Sequence, residues 1–175
     1  MTSATSLNNS SWPTAKLDPI SRLHVLAGGL PGTVVHERTI DAPFDHVWSF
    51  VEDLQRSVPS FERTVARLTI VHHDGNHLKT RGRGTWRGGF LPLGFDVDLE
   101  PGWCLMVSRP RFYVVGMAAE PDGERTRWGQ LEGLSTRGRV LSPLLRISRL
   151  RHHRHVDHDI DGLERELRNF EPFSE

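Results

Sequence analysis

Thr126, Trp128, Gln130 and Glu132 alternate along one predicted strand, so an indole, an amide and a carboxylate share one of its faces. A carboxylate turned toward an apolar interior is costly unless it is paired. Arg149 and His152 lie on one stripe of the helix predicted further on and are its candidate partners. Facing a bound molecule, Glu132 and His152 are the two residues able to move a proton, and they are the candidate catalytic pair. The competing reading puts Glu132 at a strand end, in water. The run RLRHHRHVDHD, residues 149–159, invites a metal. His152, His155 and Asp159 at i, i+3 and i+7 have the donor types zinc takes. Three ligands from a single helix would be exposed, and the spacing matches no standard motif. Surface histidines and no metal are therefore expected. The chain has no glycine-rich phosphate loop, no G-x-S-x-G and no Cys/His pattern. No cofactor is expected.

Other polar and aromatic residues suit the walls of a binding site rather than its chemistry. Trp86, Phe95, Trp103 and Tyr113 fall on predicted central strands. Tyr113 is the only tyrosine, and its hydroxyl could orient a ligand carbonyl. With Trp128, Gln130, Leu145 and Arg149 they make up the candidate ligand-binding set. Trp48 is expected to be structural. Arg81, Arg83 and Arg87 are expected to point outward if Leu78 points in.

These residues need a scaffold, and the periodicities supply one. TVVHERTI, residues 33–40, is β-branched and reads as a strand. Asp41-Ala42-Pro43 ends it. Val47, Phe50, Val51 and Leu54 then recur at helical spacing, with Asp45 as the expected cap and Pro59 as the expected stop to a second short helix. From Phe61 to Leu134 the pattern is strands and turns. Asp74-Gly75 and Asp122-Gly123 mark hairpins. Leu91, Leu93, Phe95, Val97 and Leu99 alternate with polar or small residues, as in an antiparallel strand with one wet face. Gly82 and Gly84 suggest a bend or bulge. Ser142-Pro143 then opens a helix running to about Phe170. One sheet with so few helices buries itself most economically by curling around the long helix, with the short helices plugging the open end. A curved sheet and a straight rod leave space between them. The fold class is α+β, a curved antiparallel sheet of about seven strands around a long C-terminal helix. Residues 1–32, rich in Ser, Thr, Asn and Pro, are expected to be a mobile arm, with Leu23, Val25, Leu26 and Leu30 able to form a short packed turn. Residues 33–171 form the domain.

The stretch Ile40-Asp41-Ala42-Pro43 followed by Val47-Trp48, Val51 and Asp53, then Pro59, resembles the START-like, Bet v 1-like superfamily in its polyketide cyclase/dehydrase and lipid-transport branch (SRPBCC). Asp122-Gly123, Thr126, Trp128 and the closing long helix extend the likeness over about residues 33–170. The resemblance implies a helix-grip fold, a cavity for an apolar or amphipathic ligand, and a last strand whose Trp128 face is the concave one. It implies no single reaction, because that fold carries lipid carriers, sensors and cyclases alike.

The bulk numbers exclude more than they assign. Net charge is zero over 175 residues, so nucleic acid is not expected. No apolar run reaches the ~18 residues that span a bilayer, and Cys104 stands alone, so the cytoplasm is expected. Between Gly133 and Val156 there are arginines and no acids. Arg146, Arg151 and Arg154 could touch an anionic membrane or a protein; packing against the chain's own acids is the other account. Three functions follow: binding or carriage of a small hydrophobic molecule, cyclase or dehydratase catalysis through Glu132 and His152, or docking through the arginine-rich helix face. The composition leaves the oligomeric state open.

Overall fold

The computed structural model describes residues 16–30, 32–86, 89–134 and 148–171; for residues 86, 89, 90 and 148–153 it describes the backbone alone. Strands β1 (Val34–Ile40), β2 (Val65–Asp74), β3 (His77–Trp86), β4 (Gly89–Glu100), β5 (Trp103–Ser108), β6 (Tyr113–Asp122) and β7 (Arg125–Leu134) form one sheet. Their order is β1-β7-β6-β5-β4-β3-β2, and every neighbouring pair is antiparallel. Strands β1 and β2 are therefore the two edges. The chain crosses between them through the short helices α2 (Phe44–Val51) and α3 (Leu54–Phe61), and α4 (Ser148–Leu167) lies against α3, β1 and β7. This is the expected curved sheet gripping a C-terminal helix.

The inner face and its helices share one core. Val47, Trp48, Phe50, Leu54 and Phe61 from α2 and α3 meet Val156, Ile160, Leu163 and Leu167 from α4. Curvature has a visible cause at β2–β3, where the register shifts between Val65 and Arg67. A Cβ on Gly82 would stand 2.2 Å from the Arg67 carbonyl oxygen, so only glycine admits this bulge. The orientation of α4 is fixed across β1 by His36 with Asp157 (2.7 Å) and Arg38 with Asp161 (2.5 Å).

Several expectations need correction. Residues 19–29 are not part of an arm. They form a helix, α1 (Pro19–Gly29), with Pro19 in its first turn and Asp18 accepting a 2.7 Å hydrogen bond from the Ser21 amide. Its Ile20 and Leu23 are buried on the outer face of the sheet, in a second core with Trp103, Val114, Ala118 and Leu131. Apolar spacing at i, i+3 wins over polar composition here. Pro59 lies inside α3 rather than ending it. One missing N–H in so short a helix is outweighed by burial of Leu54, Val58 and Phe61. Asp45 sits in the first turn of α2 and makes no capping bond; Pro43 holds the cap position. The expected helix start at Ser142-Pro143 lies outside the described residues.

Candidate functional site

Sheet and α4 do not fill each other, and a cavity of about 620 Å³ remains beside α3. Its walls are Val58 and Phe61 from α3 and Leu93, Phe95, Met106 and Met117 from the strands. Leu91, 47% exposed, stands where the cavity meets solvent. At one end the lining turns polar, with Glu62, Tyr113, Gln130 and His155.

Three elements bring that polar end together. Strand alternation aims Gln130 and Glu132 of β7 inward, since Gly129 and Leu131 face α1. Helix α4 contributes His155 and Asp159 beside its buried Val156 and Ile160. Glu62 follows the last turn of α3, its carboxylate accepting from the Thr64 amide (2.8 Å) and hydroxyl (2.6 Å). Glu132, 0% exposed, accepts from the Tyr113 hydroxyl at 2.7 Å and from Gln130 Nε2 at 3.2 Å. Asp159, 1% exposed, lies 2.9 Å from His155 Nδ1. The same imidazole is 3.6 Å from Glu132 and, through Nε2, 3.5 Å from Glu62.

Burial and mutual repulsion dominate the electrostatics. Desolvation, then the Glu62 charge, hold the Glu132 carboxyl above its ordinary range, against the opposing pull of His155. Asp159 is pushed up to about 8, chiefly by desolvation. The hydrogen bond to Asp159, with the surrounding carboxylates, pushes His155 up to about 9 against its own desolvation. Burial, then Glu132, raise the Tyr113 hydroxyl well above an ordinary phenol. The result is three carboxylates around one imidazole.

Phe95, Tyr113 and Gln130 of the expected ligand-binding set line the cavity. Trp128 is buried in the inner core. Trp103 faces the other way, a correction: it packs on α1, with the Arg22 guanidinium 4.0 Å from its ring centre. Its strand, WCLMVS, is apolar on both faces, so alternation alone does not orient it. The side chains of Trp86, Leu145, Arg149 and His152 lie outside the described residues, as do those of Arg146 and Arg151; Arg154 is exposed. Glu132 is thus buried among polar groups rather than at a wet strand end, and its described histidine neighbour is His155. The sequence reading missed Glu62 as a member of this group. It grouped His155 and Asp159, at i, i+4, as zinc donors without relating them to Glu132. Trp48 sits in the inner core, and Arg81 and Arg83 are exposed.

No family model matches the chain, and no curated protein does. Solved structures do. TTHA0849 from Thermus thermophilus superposes with a TM-score of 0.60 at 21% identity, over 77% of this chain and 96% of that one. The Zhui aromatase/cyclase from Streptomyces sp. R1128 gives 0.59 at 16% identity, over 78% and 93%. Ara h 8.0201 gives 0.56 at 12% identity, over 79% and 98%. No helix among the described residues is long and apolar enough to cross a membrane. With its antiparallel sheet wrapped on the C-terminal helix, the chain shares the helix-grip fold of these structures.

Proposed function

We propose that the protein binds a small, mostly apolar molecule between the sheet and α4, with the guest's polar end against Tyr113, Gln130 and His155. The observation that carries this reading is the 620 Å³ hollow with apolar walls and one polar end. Its volume falls in the ~300–1,000 Å³ range of small-molecule sites. Apolar walls supply affinity, and a few polar groups fix orientation. Native mass spectrometry of the purified protein tests for a retained guest. Displacement of a neutral fluorescent probe, N-phenyl-1-naphthylamine, tests the place. Leu93→Trp fills the cavity from β4 and weakens probe binding at least tenfold while the domain stays folded. Unchanged probe affinity in that variant overturns the reading.

Cyclisation or dehydration of the bound guest is the second reading. What favours it is the convergence of Tyr113, Gln130 and His155 on one end of the cavity, where a guest carbonyl would meet hydrogen-bonding groups. Aromatase/cyclases are among the structures that share the fold. Glu132→Gln separates the two. A binder keeps its affinity in that variant, whereas an enzyme keeps the guest and loses the product.

A further inference from the structure

We infer that Glu62, Glu132, His155 and Asp159 form a site for one divalent transition-metal ion at the polar end of the cavity. Each residue can offer one ligand atom, and those atoms lie within 4.8 Å of one another. Ligands at ~2.0–2.2 Å from a common ion stand up to about 4.4 Å apart, so closing the set needs only small side-chain movements. The donors come from the C-terminal end of α3, from β7 and from α4, and α4 packs on the other two. A site built from packed elements is better defined than one on a loop.

Charge balance points the same way. Among the described residues, His155 is the only basic side chain in contact with these three carboxylates. Glu132 and Asp159 are almost fully buried, so ionising both beside Glu62 is unfavourable without a cation to meet them. A divalent cation would displace their protons and balance the carboxylates where they converge.

Gln130 is the independent observation. It is 1% exposed, and its Oε1 has no hydrogen-bond partner. Its Nε2 lies 3.2 Å from Glu132 Oε1 and 3.5 Å from Asp159 Oδ2. Rotating the amide by half a turn exchanges the two ends and carries the orphan oxygen to the carboxylates. An oxygen there needs a proton or a cation between it and the carboxylates, and a cation would take it as a further ligand. The donor set is then oxygen with one imidazole. That suits Zn²⁺ or Mn²⁺ better than Ca²⁺, which takes six to eight oxygens.

The inference does not rest on the guest. Its test is calorimetric titration of the tag-free, EDTA-treated full chain with Zn²⁺, Mn²⁺ and Ca²⁺ singly, without probe. One Zn²⁺ or Mn²⁺ per chain is expected, with at least tenfold weaker binding in Asp159→Asn and Glu132→Gln. Glu124→Gln, an exposed acid in the β6–β7 turn, should bind as wild type does. Added ion should no longer raise the melting temperature of Asp159→Asn. If Asp159→Asn does not fold, Glu62→Gln, at the cavity surface, provides the same comparison. No stoichiometric binding by the wild type, equal binding by the cluster variants, or equal loss in Glu124→Gln overturns the assignment. Probe binding, read separately, fails or survives independently.

Discussion

Replacing Tyr113 by phenylalanine removes one oxygen atom and leaves the ring. The hydroxyl donates to Glu132 Oε2 at 2.7 Å. His155 Nδ1 stands 3.6 Å from that oxygen, beyond hydrogen-bond reach. Glu132 is 0% exposed, so the lost bond leaves its carboxyl a buried acceptor. Leaving a buried acceptor unsatisfied costs about 1–3 kcal/mol. For a domain of this size each kcal/mol moves the melting temperature by roughly 2–4 °C, so a drop of roughly 2–12 °C is expected. Urea unfolding in EDTA, with the slope checked against wild type, measures the free energy directly. The bond's own share comes from a double-mutant cycle with Glu132→Leu, in which Tyr113→Phe should be nearly neutral. A Tyr113→Phe variant within 0.5 kcal/mol of wild type would refute the claim that this hydroxyl holds Glu132 in a dry site.

Two further perturbations probe the outer face and the interior of the sheet. A Cβ on Gly129 would stand 2.8 Å from Ile20 Cδ1 and 3.0 Å from Leu23 Cδ1, so Gly129→Val should push α1 off the sheet. The expected cost is ~1–3 kcal/mol, with faster proteolysis within residues 16–30, a red-shifted Trp103 emission and unchanged probe affinity; unaltered proteolysis would contradict the packing described. Cys104 is 0% exposed, and burial, then the Asp98 charge, push its thiol far above the ordinary range. Iodoacetamide at pH 8 should leave it unmodified in the folded protein and label it in urea, and rapid labelling of the native state would place it elsewhere.

The fold was legible because its signals are local. Phe95 and Val97 alternate with polar residues strongly enough to orient β4, and Asp74-Gly75 and Asp122-Gly123 set their hairpins. Residues that meet only through closure of the sheet were not legible. Glu62 and Glu132 are 70 positions apart, and nothing in either neighbourhood names the other. His155 and His152 lie on one helical stripe, and the choice between them depends on how α4 is set against β1. His36–Asp157 and Arg38–Asp161 fix that setting, and they are tertiary contacts. Trp103 was misplaced because β5 is apolar on both faces. Its outer covering, α1, belongs to a segment whose serines and asparagines read as an arm.

A domain that needed only to close its core would have no use for the polar end. Exchanging a buried ionic cluster for well-packed apolar residues is often neutral or stabilising by ~1–4 kcal/mol. Isosteric apolar residues at 132 and 159 should then stabilise the chain while abolishing what the site does. The other buried positions on the inner face of β7 carry no ionisable group: Thr126 bonds the Ala42 carbonyl at 2.8 Å, and Trp128 fills the core beside it, its indole N–H without a partner. The departure begins at Gln130 and continues through Glu132 to the facing turn of α4. Destabilising groups confined to one end of an otherwise apolar hollow are what a binding or reactive centre requires and what a folding core avoids. The place where this chain gives up stability is therefore the place to look for its chemistry, and a Glu132→Leu, Asp159→Leu double variant that was both less stable and fully functional would show that the cluster serves the fold instead.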